Sequence, residues 1–257
     1  MGEVSRYPDG TFCWIDLGTP DGPRARAFYG ELFGWRFDEV PGGRYLMCRL
    51  DGKDVTGIHE HPPEEGANWS SYVSVADVEG TATRATDLGG TVTHGPIDVG
   101  DTARMSVIRD PGGAEVCLWQ AKGFIGAGLV NEVGTWTWNE LTTPNVEAAK
   151  AFYGALFGWE AQDVPSPIPR AGFSLEGFLV GGVHAPAEGE PDHPRWTVSF
   201  KVADVDRSAE QVRRQGGMVL LPPMDIPIGR FSVVADPAGA AFTVTAFPRP
   251  LQGVDGS

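Results

Sequence analysis

Apolar residues along this chain recur at two spacings, and the two spacings take turns. From Cys13 to Gly18 the side chains alternate in character, the period of two expected of a strand with distinct faces. Pro20-Asp21 then offers a helix start, and Ala25, Phe28, Tyr29, Leu32 and Phe33 recur at helical spacing until Gly34 stops the run. The pattern predicts a strand followed by an amphipathic helix. Two short strands come next, Arg44 to Leu50 and Lys53 to His59, around Asp51-Gly52, a dipeptide suited to a tight hairpin. The order then returns. A strand spans Ser70 to Val75, a helix is capped by Asp77 and ended at Gly89-Gly90, and strands lie near Thr91, at Met105 to Arg109 and at Glu115 to Gln120.

The whole arrangement is itself duplicated. AFYGELFGW at Ala27 to Trp35 recurs as AFYGALFGW at Ala151 to Trp159, identical at eight of nine positions. Around that anchor Trp14, Asp16 and Leu17 map onto Trp138, Glu140 and Leu141. Further on, Trp69 maps onto Trp196, Arg104 onto Arg230, and Asp110-Pro111 onto Asp236-Pro237. The glycine-rich stretch from Ala121 to Gly134 is the natural junction. We expect two domains, residues 1–124 and 125–257, each divided again into two units. Four units of this kind make an α+β protein: tandem βαβββ units form two cup-shaped, half-open mixed or antiparallel sheets with helices on the outside.

Composition narrows the function. The 257 residues carry 20 Lys and Arg against 34 Asp and Glu, a net charge of −14, which repels nucleic acid and anionic lipid alike. No apolar stretch approaches the roughly 20 residues needed to cross a bilayer. The N-terminus lacks a basic segment followed by an apolar one, so a cytoplasmic location is expected. Cys13, Cys48 and Cys117 are odd in number and far apart, and they read as free thiols rather than a disulfide or zinc framework. The expected partner is a small molecule, not nucleic acid or membrane, bound by a monomer or homodimer.

The strand, the Pro-Asp start, the AFYxxLFGW helix, the Val-x-Asp-Val segment, the Gly-Gly turn and Asp110-Pro111-Gly112-Gly113 running to Leu118-Trp119 together resemble the vicinal oxygen chelate superfamily. That superfamily includes glyoxalases, bleomycin-resistance proteins and extradiol dioxygenases. The stretch from Leu118 to Glu140 is most similar to its two-domain glyoxalase-like subgroup, often labelled hydroxylase. In the family's metal enzymes, His, Gln or Glu occupies set strand positions. The resemblance puts Trp14 and Trp138, Ser70 and Thr197, and Cys117 and Thr243 in those slots, with His59 and His184 near a further one. These are poor ligands for a hard divalent metal, so the expectation is no cofactor. A metal-dependent glyoxalase-type lyase, with His59 or His184 among its ligands, stays open as an alternative.

Alternation says what faces each cup. Ile15 and Leu17 pack under the helix, which leaves Trp14 and Asp16 toward the cavity in the first copy and Trp138 and Glu140 in the second. On the last strands Glu115, Cys117 and Trp119 point inward, as does Thr243 in the second copy. A carboxylate partly desolvated among tryptophans is suited to general acid-base work, so Asp16 and Glu140 are the catalytic candidates. Trp14, Trp119, Trp138, Glu115, Cys117, Ser70, His59, His184, Thr197 and Thr243 are the candidate ligand-binding residues. Bland readings stand beside these: salt bridges of Asp16 and Glu140 to Arg104 and Arg230, plain core tryptophans, and exposed loop histidines. The expected activity is a metal-independent isomerisation, cyclisation or hydroxylation of an apolar or aromatic secondary metabolite. The alternative from another class is a protein that sequesters a drug or metabolite.

Overall fold

The computed structural model describes residues 2–40, 42–43 and 45–247. In the first copy, β1 (Phe12–Thr19) leads through α1 (Gly22–Phe33) to β2 (Arg36–Glu39), β3 (Tyr45–Leu50) and β4 (Lys53–Glu60). The second unit runs β5 (Asn68–Ser74), α2 (Val78–Asp87), β6 (Thr91–Val99), β7 (Ala103–Arg109) and β8 (Glu115–Ala121). Arg44, the expected first residue of β3, lies outside the described residues. The second copy repeats the series as β9 (Trp136–Thr142), α3 (Val146–Phe157), β10 (Glu160–Asp163), β11 (Arg170–Leu175) and β12 (Phe178–His184). It continues through β13 (Arg195–Lys201), α4 (Val205–Arg214), β14 (Met218–Ile226), β15 (Gly229–Ala235) and β16 (Ala241–Ala246).

Local chemistry accounts for the boundaries. Asp21, Asp77, Asn145 and Asp204 each accept a backbone N–H of the first helical turn, which satisfies a donor the helix cannot. Gly34 and Gly158 close α1 and α3 at φ +77°, a conformation open to glycine without strain. The hairpin at Asp51-Gly52 has positive φ at both residues, as a tight primed turn requires.

Each copy builds one eight-stranded sheet, ordered β2-β3-β4-β1-β5-β8-β7-β6 in the first and β10-β11-β12-β9-β13-β16-β15-β14 in the second. At the centre, β1 runs antiparallel to β5 and parallel to β4, so the two units of a copy join through their first strands. Both units of a cup come from the same copy. Asp16 and Glu140 therefore stand in different sheets.

The helices cover the faces opposite the cups, and those faces meet at the seam. Leu17 pairs with Trp69, whose ring lies edge-on to Tyr29 of α1 at 5.5 Å, while Phe200 of the other copy packs 5.0 Å from Trp69. Four reciprocal hydrogen bonds cross the seam. Tyr29 Oη donates to Asp236 Oδ2 (3.0 Å) and Tyr153 Oη to Asp110 Oδ2 (2.9 Å). Trp35 Nε1 donates to the Gly134 carbonyl and Trp159 Nε1 to that of Gly10, each at 2.7 Å. The repeated aromatic helix is core, but core shared between copies.

Candidate active site

The first cup is filled. Trp14 is 1% exposed, and its ring meets Phe124 edge-on at 4.9 Å. Trp119 donates from Nε1 to the Phe124 carbonyl (2.9 Å), so the segment leaving β8 folds over the cup. Asp16 lies at the base, 3% exposed. Its Oδ2 accepts from Tyr72 Oη (3.0 Å) and Tyr45 Oη (3.2 Å), and Trp14 Nε1 in turn donates to Tyr45 Oη (3.0 Å). His59 Nδ1 stands 3.7 Å from the same carboxylate oxygen. The polar contact with the Asp16 carboxylate pulls the His59 pKa above the ordinary histidine value, and burial opposes that pull. Asp16 Oδ1 is buried without a partner among the described residues. Burial pushes the Tyr45 and Tyr72 phenols well up, so both remain donors.

The second cup is open. Glu140 takes the place of Asp16 and Arg170 that of Tyr45, each of the latter pair lying opposite its copy's histidine. Arg170 donates to Glu140 Oε1 from Nη2 (2.8 Å) and Nε (3.2 Å), while Trp138 Nε1 donates to Oε2. The glycines that pair with the two carboxylates, Gly57 and Gly182, are required by space. A Cβ at Gly57 would strike Tyr45 and one at Gly182 would strike Glu140. His184 is near the mouth, with Nε2 3.2 Å from Thr142 Oγ1, and Glu190 joins Thr142 to Arg195.

Strand register explains why one cup is full and the other is not. Where the first copy has Met47, Tyr72, Cys117 and Trp119, the second has Gly172, Ser199, Thr243 and Thr245. Ser199 and Thr245 are buried at the base, but Trp138, Glu140, Gly172, Thr197 and Thr243 keep exposed surface. The walls are apolar. Leu179 reaches over Gly172, Leu221 pairs with Val233, and Met224 pairs with Phe231 on the face that carries Thr243 and Thr245. Nine of ten exposed large hydrophobic side chains among the described residues belong to the second copy, Leu179, Leu221 and Met224 among them, which marks that half as the more apolar surface. A groove of about 250 Å³ at the seam, lined by Leu32, Phe33, Val133 and Gln211, includes neither carboxylate.

Several sequence expectations change. Glu115 is not inside the cup. It lies exposed as the first residue of β8, where it pairs across the strands with Arg109, the last residue of β7 (2.8 Å). Arg104 binds Glu79 and Asp98, and Arg230 binds Asp206 and Asp225, so neither serves Asp16 or Glu140. Cys117 is 5% exposed with its thiol pushed up by burial, a poor nucleophile. Ser70 and Thr197 pair with Asp16 and Glu140 across the central strands, and both are half-buried. Tyr45, Tyr72 and Arg170 were not among the candidates. Tyr45 and Arg170 each stand fourteen residues before His59 and His184, a shared spacing that aligning the copies on their histidines would have shown.

The family positions of the first cup hold poor ligands for a divalent metal. Indole offers no lone pair, Cys117 is a protonated buried thiol, and His59 is turned to Asp16. Among the described residues no three His, Cys, Asp or Glu side chains converge as a metal would require.

The family model "Glyoxalase/Bleomycin resistance protein/Dioxygenase superfamily" matches residues 11–118 and again 135–244. The chain belongs to this superfamily. Among its relatives, "Putative glyoxylase CFP32" of Mycobacterium tuberculosis is 41% identical, covering 98% of this chain and all of that one. "Anthracycline biosynthesis protein DnrV" of Streptomyces peucetius is 32% identical over 94% of each chain. In fold it resembles the Mn(II)-bound glyoxalase from Novosphingobium aromaticivorans, at a TM-score of 0.68 and 13% identity, covering 100% of this chain and 87% of that one. It also resembles the 2,3-dioxygenase LapB from Pseudomonas sp. KL28, at 0.65 and 16%, covering 97% and 96%.

Proposed function

We propose that this protein is a small-molecule enzyme that isomerises or cyclises an apolar or aromatic secondary metabolite by proton transfer, without a tightly bound metal. The second cup is its working site and Glu140 its acid-base group. The observation that carries this reading is the contrast within one chain: an open cup with apolar walls over a Glu140–Arg170 pair, beside a filled cup of the same fold. A carboxylate at the base of an apolar cup can take a proton from carbon and return it elsewhere, and such a step needs no further reagent. The DnrV relative, named for anthracycline biosynthesis, supports a secondary metabolite as substrate.

A second reading rests on Asp16. Its unpartnered Oδ1 is a buried acceptor without a donor, which a ligand entering past His59 would supply.

Proton transfer is testable without the natural substrate. Enolisable aromatic ketones such as 1-tetralone are incubated with the protein in deuterium oxide, and label at the carbon beside the carbonyl is read by mass spectrometry. The expected result is exchange that resists chelators, is lost in Glu140→Gln and persists in Asp16→Asn. The opposite pattern moves the chemistry to the first cup. Exchange abolished by chelation restores the metal-dependent lyase. Tight binding without exchange makes the protein a sequestering one.

A further inference from the structure

The geometry points to Arg170 as the residue that selects the substrate: its guanidinium receives a ketone or phenol oxygen, so the cup takes flat oxygenated apolar molecules and turns away cationic ones. This rests on the second cup being the working one.

Arg170 spends Nε and Nη2 on a single oxygen of Glu140, and its Nη1 has no partner among the described residues. Its side chain is 41% exposed, against 16% for Glu140. A ligand entering the cup therefore meets the guanidinium before the carboxylate. The planar N–H edge left over is shaped for an oxygen acceptor and repels an ammonium group. In the first cup the corresponding place holds Tyr45, so its carboxylate faces phenols and no guanidinium. The exchange of Tyr45 for Arg170 thus changes what the two cups present at their mouths. The same sheet carries Trp138, Leu179, Leu221, Met224 and Phe231 with exposed surface, apolar side chains that suit a flat apolar body.

The same placement serves the chemistry. When a carbonyl oxygen rests on Arg170, the carbon next to that carbonyl lies toward Glu140. The carboxylate takes the proton from that carbon, the C–H electron pair moves into the new C=C bond, and the carbonyl oxygen gains the charge beside the guanidinium. In a substrate whose C=C bond adjoins that carbon, the charge spreads to the far end of the conjugated system, and return of the proton there, with the C=C bond shifted and the C=O bond restored, completes an isomerisation.

Calorimetry with four probes of similar size tests this: naphthalene, 2-naphthol, 1-tetralone and 1-naphthylmethylamine, each with the full chain. Hydrogen bonds to a charged group are worth enough to expect 2-naphthol and 1-tetralone to bind about tenfold tighter than naphthalene, with the amine weakest. Arg170→Met should erase that preference and leave naphthalene binding intact. The double variant Glu140→Gln with Arg170→Met leaves no uncompensated charge and should behave the same, which separates recognition from loss of fold. A preference that survives both variants, or an amine that binds best, overturns the role of Arg170 while the apolar cup stands. Failure of every probe to bind overturns the second cup as the working site.

Discussion

At the scale of single residues, one strand position has received two environments. Asp16 and Glu140 occupy matching places, yet Asp16 is held by two phenols and a histidine, and Glu140 by a guanidinium and an indole. The histidine gives a pH-dependent consequence. Asp16 raises the folded-state pKa of His59, so folding favours the protonated ring. The resulting stability is fully present below the unfolded value of about 6.5 and is lost as pH rises through the folded value. Following the His59 ring proton by NMR should show a midpoint above that of a free histidine in the wild type and a lower one in Asp16→Asn. An unchanged midpoint in the variant would separate His59 from Asp16. Alternation along β1 and β9 puts both carboxylates on the cup face, because facing is a local property of a strand. Their partners were not legible that way. Tyr72, Tyr45 and Arg170 reach the carboxylates from other strands, and only the register of the sheet brings them there.

At the scale of elements, the amphipathic pattern gives each helix an apolar face but does not say which half of the chain that face meets. The aromatic stripe of α1 packs against the other copy, with Phe33 4.8 Å from Phe200, and the Asp-Pro turns receive tyrosines from across the seam. Those turns also hold themselves. Asp110 Oδ1 accepts from Gly113 and Ala114, while its Oδ2 takes Tyr153. Turn chemistry alone therefore explains half of the aspartate. Burial raises the Asp236 carboxyl, and Tyr29 is among the donors that oppose the rise. Removing a donor to a buried charged acceptor costs about 1–3 kcal/mol. Tyr29→Phe and Tyr153→Phe should each lower the urea midpoint by that order with little change in slope, and the two should add because the sites are separate. A neutral effect from either would show that water replaces the phenol. The short strands β2 and β10 gave no signal of their own. Both are mostly exposed on sheet edges, where neither burial nor alternation constrains sequence.

At the scale of the molecule, duplication was plain from the repeated helix, but the inequality of the copies was not, because it is written in side-chain volume rather than in pattern. Met47 and Gly172, or Trp119 and Thr245, fill the same strand slots and leave the hydrophobic period intact. The difference is nevertheless what gives one half a cup to work in and the other a packed interior. Substitution can move it. Gly172 lies on the floor of the open cup with an ordinary backbone, and its added Cβ would meet only the flexible end of Leu179, at 3.3 Å. Gly172→Met places there the side chain that the first copy carries at Met47. The new side chain occupies space that a ligand would need and disturbs no buried neighbour, so the melting temperature should shift by only a few degrees. Binding of 2-naphthol and deuterium exchange into 1-tetralone should both fall to background. Retained exchange in a folded Gly172→Met protein would mean that the chemistry never depended on the second cup, and would return attention to Asp16.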